Sequence, residues 1–414
     1  MSTNNNTPRL RFPEFSGEWE EKKLGEVATK KNEKNTNLAV SRVLTNSANA
    51  GIVDQNEYFD RDIAVKGNTD SYYIVDINDF VYNPRISTAA PVGPISINKI
   101  GKGVMSPLYT VFKFHTGCIS FYEHYFKTTI WHSYLKSIAN FGARFDRMNI
   151  TNEGFFNMPL LLPSPAEQQK IAECLTAMDN LITAQGQKVD ALKEKKKGFM
   201  QQLFPKPGET TPQLRFPGFT GEWEEKKLGE VFTRLTEKND EDNKNVLTIS
   251  AQYGLISQLD FFKKSVSAAD VTGYYLLHKG DFAYNKSSSQ GKPFGAIKPL
   301  KLYDKGVVST LYICFRCKDA NAIGYWEQYF DAGMLDKEIM SIAQEGARNH
   351  GLLNVPTNDF FDLKVLIPNP AEQQKIAECL SSLDELIAAE SAELDALKDH
   401  KKGLMQQMFP QTNK

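Results

Sequence analysis

The chain is one sequence unit written twice, and this duplication constrains its fold more than any other feature. Residues 8–27 and 212–231 are identical at 17 of 20 positions. A second block, residues 163–205, recurs as 368–410 with 28 of 43 positions identical. Identity at this level does not arise by chance, and a repeat of this kind marks one structural unit used twice. The sequence therefore predicts two copies of one fold.

The segments between the repeated blocks, residues 28–162 and 232–367, are nearly equal in length but share little identity. A few landmarks survive, among them Gly142-Ala143-Arg144 and Gly346-Ala347-Arg348. The simplest interpretation is that both segments adopt the same fold and carry different surfaces. We therefore expect the shared blocks to do one shared job and the variable segments to do two versions of another.

Composition is that of an ordinary globular protein. The 414 residues are 41% hydrophobic and 24% charged, which excludes a disordered or collagen-like chain and leaves room for two or more domains. No apolar stretch approaches the roughly 20 residues that span a bilayer, and the polar residues 1–8 do not resemble a secretory signal. Five mostly isolated cysteines fit a reducing compartment, so we expect a cytoplasmic protein without membrane partners. The net charge of −1 does not by itself indicate nucleic acid.

The longer repeated block begins and ends with helix-terminal residues. Ser164 or Asn369 provides an N-cap side chain, proline follows at the first helical position, and Glu stands three residues after the cap. Pro205 and Pro410 prevent either helix from continuing. The apolar spacing between these limits alternates four and three, which is typical of a coiled-coil seam. The seam positions are Ile171, Leu175, Met178, Ile182, Gln185, Val189, Leu192, Lys196, Phe199 and Leu203, and in the second copy Ile376, Leu380, Leu383, Ile387, Glu390, Leu394, Leu397, Lys401, Leu404 and Met408.

Geometry predicts that the two helices run antiparallel. A helix of about 38 residues is roughly 57 Å long, and only the short linker 204–211 joins it to the second unit. The second variable segment, as a domain roughly 35–40 Å across, cannot carry the chain back along that length. We therefore expect one variable domain at each end of the helix pair. The alternative, an amphipathic helix on a globular core, is disfavoured by the length and the 3.5-residue period.

Polar residues interrupt both seams and suggest a register. An alignment that pairs Lys196 with Glu390 and Gln185 with Lys401 would satisfy all four side chains. Polar seam residues can specify alignment at a cost in stability. We take this register as a hypothesis that the structure can test.

The variable segments predict an α+β fold. Short β-like runs are punctuated by Gly, Pro, Asn and Ser, without the strand–helix alternation of a doubly wound sheet. The runs are 72–75, 79–83, 108–114, 274–277, 282–285 and 311–315, and helical stretches follow at 121–138 and 325–343. The predicted division of the chain is 1–162 (N-terminal segment and first variable domain), 163–205 (first spacer helix), 206–367 (linker and second variable domain) and 368–414 (second spacer helix).

Each variable segment contains one stretch with basic but no acidic residues. These stretches lie between Asp79 and Glu123 and between Asp281 and Asp304, at equivalent places in the repeat. Loops without acids suit phosphate contact, because a carboxylate there would repel the DNA backbone. The alternative is an ordinary solvated loop surface. The candidate DNA-binding residues here are Asn83, Arg85, Lys99, Lys102, Asn285, Lys286, Lys292 and Lys298.

A second loop follows the helical stretch in each copy. Its shared arginines, Arg144 and Arg348, suit contact with a phosphate or a guanine edge, although a purely structural turn is the alternative. Arg147 in the first copy, and Asn349 and His350 in the second, differ between the copies as base-reading residues should.

The order of these segments carries a family resemblance. A variable domain, a PAEQQKIA helix, a second variable domain and a second such helix follow each other, and an LRFP-x-F-x-G-E-W-E-x-K-K-L-G-E block precedes each variable domain. This arrangement closely resembles the specificity (S) subunit of Type I restriction–modification systems. The resemblance covers nearly the whole chain, strongly in the repeated blocks and by architecture in the variable ones.

The resemblance implies a non-catalytic subunit that recognises double-stranded DNA. In that family the variable parts are target-recognition domains, each of which reads one half of a bipartite, gapped site. The helices set the gap and dock two adenine-methyltransferase subunits, which restriction subunits then join. Residues 28–162 would read the 5′ half-site and 232–367 the 3′ half-site. Two readers on a rigid helix pair can address groove faces about 34 Å apart, and because the readers differ, the half-sites should differ.

Motifs for catalysis, metals and cofactors are absent from the sequence. There is no Gly-rich dinucleotide or S-adenosylmethionine loop, no phosphate loop and no H-E-x-x-H, so we expect neither cofactor nor metal. Cys314 and Cys317 align with Val111 and Phe114, which predicts strand positions rather than zinc ligands. Catalysis should therefore reside in partner subunits.

Two other functions stay open on sequence alone. One is a stand-alone bipartite DNA-binding regulator, which would not associate with methyltransferase subunits. The other is a scaffold whose variable domains bind protein, which would not depend on Arg144 and Arg348 for DNA affinity. The DNA sequence of either half-site does not follow from the residues, because readout depends on side-chain pose.

Overall fold

Every element of the first copy recurs in the second in the computed structural model, which describes residues 6–58, 69–140, 146–250, 254–262, 270–288, 292–343, 351 and 353–410. In chain order the first copy contains β1 (Glu20–Lys23), α1 (Leu24–Val27), β2 (Ala28–Lys30), β3 (Leu44–Ser47), β4 (Gly51–Asp54), α2 (Gln55–Tyr58), β5 (Tyr73–Val75), β6 (Phe80–Tyr82), β7 (Ile95–Ile97), β8 (Gly103–Met105), β9 (Thr110–Phe114), α3 (Ile119–Phe126), α4 (His132–Ile138), α5 (Asn152–Phe156), β10 (Pro159–Leu162) and α6 (Pro165–Leu203).

Among its described residues, the second copy adds only a short 3-10 helix, Ala320–Ala322, to this series. Its elements are β11 (Glu224–Lys227), α7 (Leu228–Val231), β12 (Phe232–Leu235), β13 (Leu247–Ser250), β14 (Gly254–Ser257), α8 (Gln258–Phe262), β15 (Tyr275–His278), β16 (Phe282–Asn285), β17 (Ala296–Pro299), β18 (Lys305–Val308), β19 (Ile313–Cys317), α9 (Ile323–Asp331), α10 (Asp336–Ile342), α11 (Thr357–Asp362), β20 (Lys364–Ile367) and α12 (Pro370–Met408).

Strand pairing is the same in the two copies. The first copy has an antiparallel four-stranded sheet in the order β2-β9-β6-β7, and the second has β12-β19-β16-β17. Each copy adds three antiparallel pairs: β1 with β10, β3 with β4 and β5 with β8 in the first, and their equivalents in the second. The predicted α+β fold, used twice and each time followed by a long helix, is confirmed.

The predicted helical stretches are each two helices, not one. The 121–138 stretch is divided into α3 and α4, and the 325–343 stretch into α9 and α10. In the second copy the break includes Gly333, whose φ of +73° is a left-handed conformation that ends α9. Trp131 stands at the start of α4 and Leu335 at the start of α10, and both are buried. The break therefore turns α4 and α10 onto the core.

The helix caps are as predicted. The backbone N–H of Glu167 donates to the Ser164 hydroxyl at 3.3 Å, and that of Glu372 donates to the Asn369 side chain at 3.0 Å. These bonds satisfy N–H groups that have no partner inside the helix. Both helices contain 39 residues, and they end at Leu203 and Met408, before the prolines.

The chain divides into two units, and each contains parts of both long helices. The first is Met1–Gly186 with Glu393–Lys414, and the second is Gln187–Ala392. In the first unit Lys401, late in α12, contacts Asp179, early in α6. In the second, Lys196, late in α6, contacts Asp384, early in α12, at 2.6 Å. The helices are therefore antiparallel in both units, as predicted.

The predicted register of this pairing is wrong. Lys196 forms its ion pair with Asp384, six residues before Glu390 along α12. Glu390 instead forms an ion pair with Lys188, with 2.7 Å between nitrogen and oxygen. Lys401 forms its ion pair with Asp179, whereas the predicted register pairs it with Gln185. A lysine stem is long enough to leave the seam and reach a carboxylate on its flank, so seam residues alone do not fix the alignment.

The end of a long helix closes the aromatic core of each unit. In the first unit Phe409 lies against Trp19, Phe121 and Tyr125, with ring centroids 5.6–6.1 Å apart. Phe204 takes the same place in the second unit, where its neighbours are Trp223, Tyr325 and Tyr329. Each Phe is fully buried. The repeated tryptophan therefore covers the seam between the variable domain and the helices.

Candidate nucleic-acid interface

Two loops that are distant in sequence are joined by backbone hydrogen bonds in the first unit. The N–H of Ile86 donates to the Asp146 carbonyl at 2.9 Å, and the N–H of Met148 donates to the Pro84 carbonyl at 3.0 Å. One loop belongs to the basic stretch after β6, and the other is the described part of the loop that contains Arg147. The structure thus brings the two predicted DNA-contacting loops together.

The second unit contains the same junction. The N–H of Ser288 donates to the Gly351 carbonyl at 2.6 Å, and the N–H of Leu353 donates to the Lys286 carbonyl at 3.0 Å. Backbone bonds do not depend on side-chain identity, so the junction can hold different side chains in the two copies. We call this pair of loops the loop junction in each unit.

Arg85 and Arg147 stand opposite each other in an isolated antiparallel bridge of the first loop junction. The Arg85 side chain is 65% exposed, and its only ion pair among the described residues is a 3.4 Å contact with Asp146. Arg147 is half-buried and has no ion pair within the described part of the chain. Two arginines with little local neutralisation, on one rigid junction, form a surface suited to phosphates or guanine edges.

Asn83 and Asn285 hold the loop backbone in place. The Asn83 side chain donates to the Asn46 carbonyl at 2.9 Å and accepts from the Arg85 N–H at 3.0 Å. Asn285 likewise accepts from the Ser287 N–H at 3.0 Å. Both are therefore positioned to orient the residue two places later, which is Arg85 in one copy and Ser287 in the other.

A glycine is required where each basic loop closes. A Cβ at Gly93 would lie 2.0 Å from the Asn83 carbonyl oxygen, and one at Gly295 would lie 2.2 Å from that of Asn285. Both glycines have a φ near +80°. Any larger residue would force the loop open, so the repeated close approach fixes the path of the chain beside the loop junction.

The lysines of the first basic stretch are paired with acids from other elements. Lys99 contacts Glu123 of α3 at 2.7 Å, and Lys102 contacts Asp76 at 3.4 Å. The absence of acids within the sequence window therefore does not mean that none lies nearby in space. Both lysine side chains are more than half exposed, so each pair is partly screened by solvent.

Two lysines of the second stretch are held by Asp331 of α9. Lys298 contacts Asp331 at 2.6 Å with only 12% of its side chain exposed, and Lys292 donates to the Asp331 carbonyl at 3.3 Å. Lys286, at the loop junction, has no ion pair among the described residues, and burial lowers the pKa of its amine. Of these three, Lys286 is the one placed beside the joined loops.

Four predicted site residues lie outside the described residues. These are Arg144 of the first copy and Arg348, Asn349 and His350 of the second. Their roles stay predictions.

A concave surface beside the first loop junction contains residues that the sequence did not single out. We call it the reader groove; it encloses about 540 Å³ and is lined by Asn46, Gln55, Tyr58, Arg85, Tyr109 and Arg147, among others. The buried side-chain oxygens of Asn46 and Gln55 have no hydrogen-bond partner in the described chain. Gln258, the repeat counterpart of Gln55, also has a buried oxygen without a partner. The sequence signal for this hairpin and short helix was a glycine followed four residues later by a glutamine, Gly51 and Gln55 in one copy and Gly254 and Gln258 in the other.

Comparison with known proteins decides the family. The family model described as "Type I restriction modification DNA specificity domain" matches residues 16–194 and again 220–399. These two matches cover most of the chain and fall one on each copy. The chain belongs to this family. It is a specificity subunit of a Type I restriction–modification system, and such a subunit is itself non-catalytic.

One curated relative is similar in sequence, and solved structures are similar in fold. The specificity subunit is 27% identical over 275 residues to the Type I restriction enzyme MjaVIII specificity subunit of Methanocaldococcus jannaschii, an alignment that spans 61% of each chain. Its fold is similar to the crystal structure of the Type-I restriction-modification system S subunit from M. genitalium, with a TM-score of 0.55 and 12% identity, over 98% of this chain and 99% of that one. A chain from work on complex assembly and conformational transition of the type I R-M system gives a TM-score of 0.52 and 14% identity, over 94% and 97%.

The described residues of the specificity subunit show no cluster of three or more His, Cys, Asp or Glu side chains that could hold a metal. Cys314 and Cys317 are buried in β19, and burial raises the pKa of their thiols to about 12 and about 11. They occupy strand positions, as predicted. None of the described helices is both long and apolar enough to cross a membrane.

Proposed function

We propose that this specificity subunit reads a bipartite, gapped and asymmetric DNA site, with residues 28–162 on the 5′ half and 232–367 on the 3′ half. The observation that carries the proposal is the repeated loop junction. One backbone arrangement recurs in both units, yet Arg85 stands in one where Ser287 stands in the other. A shared frame with unlike side chains is what two readers of unlike half-sites require.

Cations at the first loop junction support DNA as the ligand. Arg85 and Arg147 are on the same bridge, and the reader groove next to them offers tyrosine, amide and hydroxyl side chains. Phosphate contacts position a protein on a duplex, and polar side chains in a concave surface read base edges. The separation of the two readers along the helix pair, and hence the gap length, stays a prediction from the sequence.

The partners follow from the same proposal. The shared helices and repeated blocks would dock two adenine-methyltransferase subunits, and restriction subunits would join that complex in the cytoplasm. Supporting this, one structural neighbour comes from work on the complex assembly of a type I R-M system. Co-purification of a methyltransferase subunit at two copies per chain is the expected result. A chain that binds its DNA without any such partner would instead be a stand-alone regulator.

A reader exchange tests the proposed function directly. Residues 28–162 are replaced by the corresponding segment of another specificity subunit, and methylated adenines are mapped across the genome of cells that carry the hybrid. One half of the methylated motif should change, while the other half and the gap persist. Simultaneous change of both halves, or no change, would contradict modular reading.

A further inference from the structure

A second basic surface lies in the first unit, away from the loops described above. It is a groove of about 770 Å³ between the N-terminal segment, the end of α3 and the last turns of α12. We call it the helix-end groove. Its lining includes five cations and no acid among the described residues: Arg9, Lys127, Lys398, Lys401 and Lys402.

Three of these cations are available to a ligand. Arg9, Lys398 and Lys402 are exposed. Lys398 has one loose contact, 3.3 Å from the exposed Asp395 on its own helix, and no ion pair of Arg9 or Lys402 is found in the described part of the chain. The other two form ion pairs with acids that do not line this groove, Lys127 with Glu123 and Lys401 with Asp179.

The position of Arg9 is fixed by the fold. The N–H of Leu10 donates to the carbonyl of Gln407 in the last turn of α12 at 2.9 Å, which places Arg9 beside the helix end. The second unit makes the same bond from Leu214 to Gln202 at 2.8 Å. The residue before Leu214 is Gln213, so the second unit has the same backbone arrangement without the charge.

The internal repeat therefore provides a natural comparison. The helix lysines are shared, because Lys193 and Lys197 occupy the places of Lys398 and Lys402. The flanking residues are not shared: Gln213 replaces Arg9 and Asp331 replaces Lys127. The positive surface is thus stronger in the first unit than in the second.

Concave surface connects the helix-end groove to the reader groove. Between them lies a third groove of about 610 Å³, which shares Ala48, Asn49 and Pro94 with the reader groove. It shares Lys127, Thr128 and Thr129 with the helix-end groove. A path of grooves therefore leads from the loop junction, with Arg85 and Arg147, to the helix end. The connecting groove carries Lys99 and Lys127 together with Glu123, which pairs with both lysines, so its charge is largely balanced and the less neutralised cations lie at the two ends.

We propose that the helix-end groove of the first unit binds DNA phosphates that flank the first half-site, giving the complex an asymmetric backbone footprint. This inference rests on the proposed function, because it takes DNA as the ligand of the loop junction. The absence of acids from the lining suits a polyanion, and continuity with the reader groove favours the DNA backbone over an acidic protein segment. Such contacts add affinity and salt dependence without adding sequence information.

The test uses the full chain assembled with its methyltransferase subunits and a duplex that contains the methylated motif. The plot of log affinity against log salt has a negative slope, to which each phosphate contact contributes about −0.9. The triple substitution Arg9→Gln, Lys398→Gln and Lys402→Gln should therefore make this slope shallower by roughly 2–3. The methylated motif should not change. Hydroxyl-radical protection should be lost next to the first half-site only.

Two further variants serve as controls. Lys193→Gln with Lys197→Gln, at the equivalent places in the second unit, should change the slope by less than half as much. Arg9→Lys, Lys398→Arg and Lys402→Arg keep the charges and should keep the slope. If the triple variant is too unstable to assemble, Lys402→Gln alone should make the slope shallower by about 1.

The possible failures are distinguishable. An unchanged salt slope with weakened association of the methyltransferase subunits would make the groove a protein-docking surface and overturn the inference. Equal effects in both units would overturn the asymmetry. Failure of the unsubstituted complex to bind its methylated motif would instead contradict the proposed function itself.

Discussion

Arg11 binds Glu167 through two hydrogen bonds, from Nε at 2.8 Å and Nη2 at 2.7 Å, across 156 residues of sequence. The Glu167 side chain is 1% exposed and lies in the first turn of α6, where the helix dipole also favours a negative charge. The second unit repeats the contact between Arg215 and Glu372 at 2.7 and 2.8 Å. This pair anchors the segment before each variable domain to the start of the helix after it.

Removal of the Glu167 charge should therefore destabilise the first unit. Glu167→Gln leaves the Arg11 guanidinium without its buried counter-charge, and we expect a loss of about 3 kcal/mol in the free energy of unfolding. Urea denaturation followed by circular dichroism measures it. The control is Glu173→Gln, an exposed position on the same helix, which should cost less than about 0.5 kcal/mol. Equal effects of the two substitutions would contradict an anchoring role.

The helix register should depend on the charge pair in the second unit. Lys196→Asp places a second carboxylate opposite Asp384 and should destabilise the helix pair by about 1–2 kcal/mol. The exchange Lys196→Asp with Asp384→Lys should recover at least half of that loss. Asp384→Lys removes the bond that the Gln328 amide nitrogen donates to Asp384 at 2.8 Å, and the lysine replaces it by donating to the Gln328 side-chain oxygen, which has no partner among the described residues. A double-mutant cycle measured by thermal denaturation gives the coupling energy, and a value near zero would contradict the pairing.

The long helices and their antiparallel direction followed from the sequence, whereas their alignment did not. Proline, capping and apolar spacing are local signals, and α6 and α12 begin and end where those signals place them. Alignment depends on which flanking carboxylate a seam lysine can reach. Asp179 and Asp384 lie outside the apolar seam, so a pattern of seam residues alone could not identify them.

Arg147 should contribute to reading the first half-site but not the second. Arg147→Ala is expected to weaken binding of the methylated duplex by about 5- to 150-fold, the effect of losing about 1–3 kcal/mol from a base or phosphate contact. Competition with duplexes altered in one half-site at a time measures it. A matched control is Lys136→Ala, an exposed lysine of α4 that lines none of the three grooves. Equal loss from Arg147→Ala and Lys136→Ala would contradict the assignment.

The sequence predicted the loops of the candidate site better than it predicted their charges. The basic stretch and the Arg147 loop do meet, because both flank strands and helices of the repeated fold. Lys99, Lys102 and Lys298 turned out to be paired with acids that lie far away in sequence. A window without acids describes only neighbours along the chain, and tertiary packing brings α3 and α9 against the sheet edge.

Acid should destabilise the first unit through His124. This ring is 1% exposed, and burial together with the nearby Lys127 lowers its pKa to about 4. The unfolded chain, with a pKa near 6.5, binds more protons between pH 6.5 and 4, so stability falls as the pH drops through that window. The contribution is about 2 kcal/mol between pH 8 and pH 5.

Gln328 stands at the equivalent position of the second unit, so glutamine already fits this fold. His124→Gln should therefore keep more of its stability at pH 5, which urea midpoints at pH 8 and pH 5 would reveal. His400→Gln, at an exposed position of α12, is the matched control. If the urea midpoint of His124→Gln falls between pH 8 and pH 5 by as much as that of the unsubstituted protein, the assignment is contradicted.

The placement of Phe409 in the core around Trp19 has a consequence for biosynthesis. The ribosome makes Trp19 early, but the ring that completes its surroundings is added roughly four hundred residues later. During most of translation the first reader therefore has an incomplete hydrophobic core, whereas Phe204 is already part of the chain before the second reader is made. A premature stop codon shortly before Phe409 would consequently damage the reader encoded first, at the opposite end of the message.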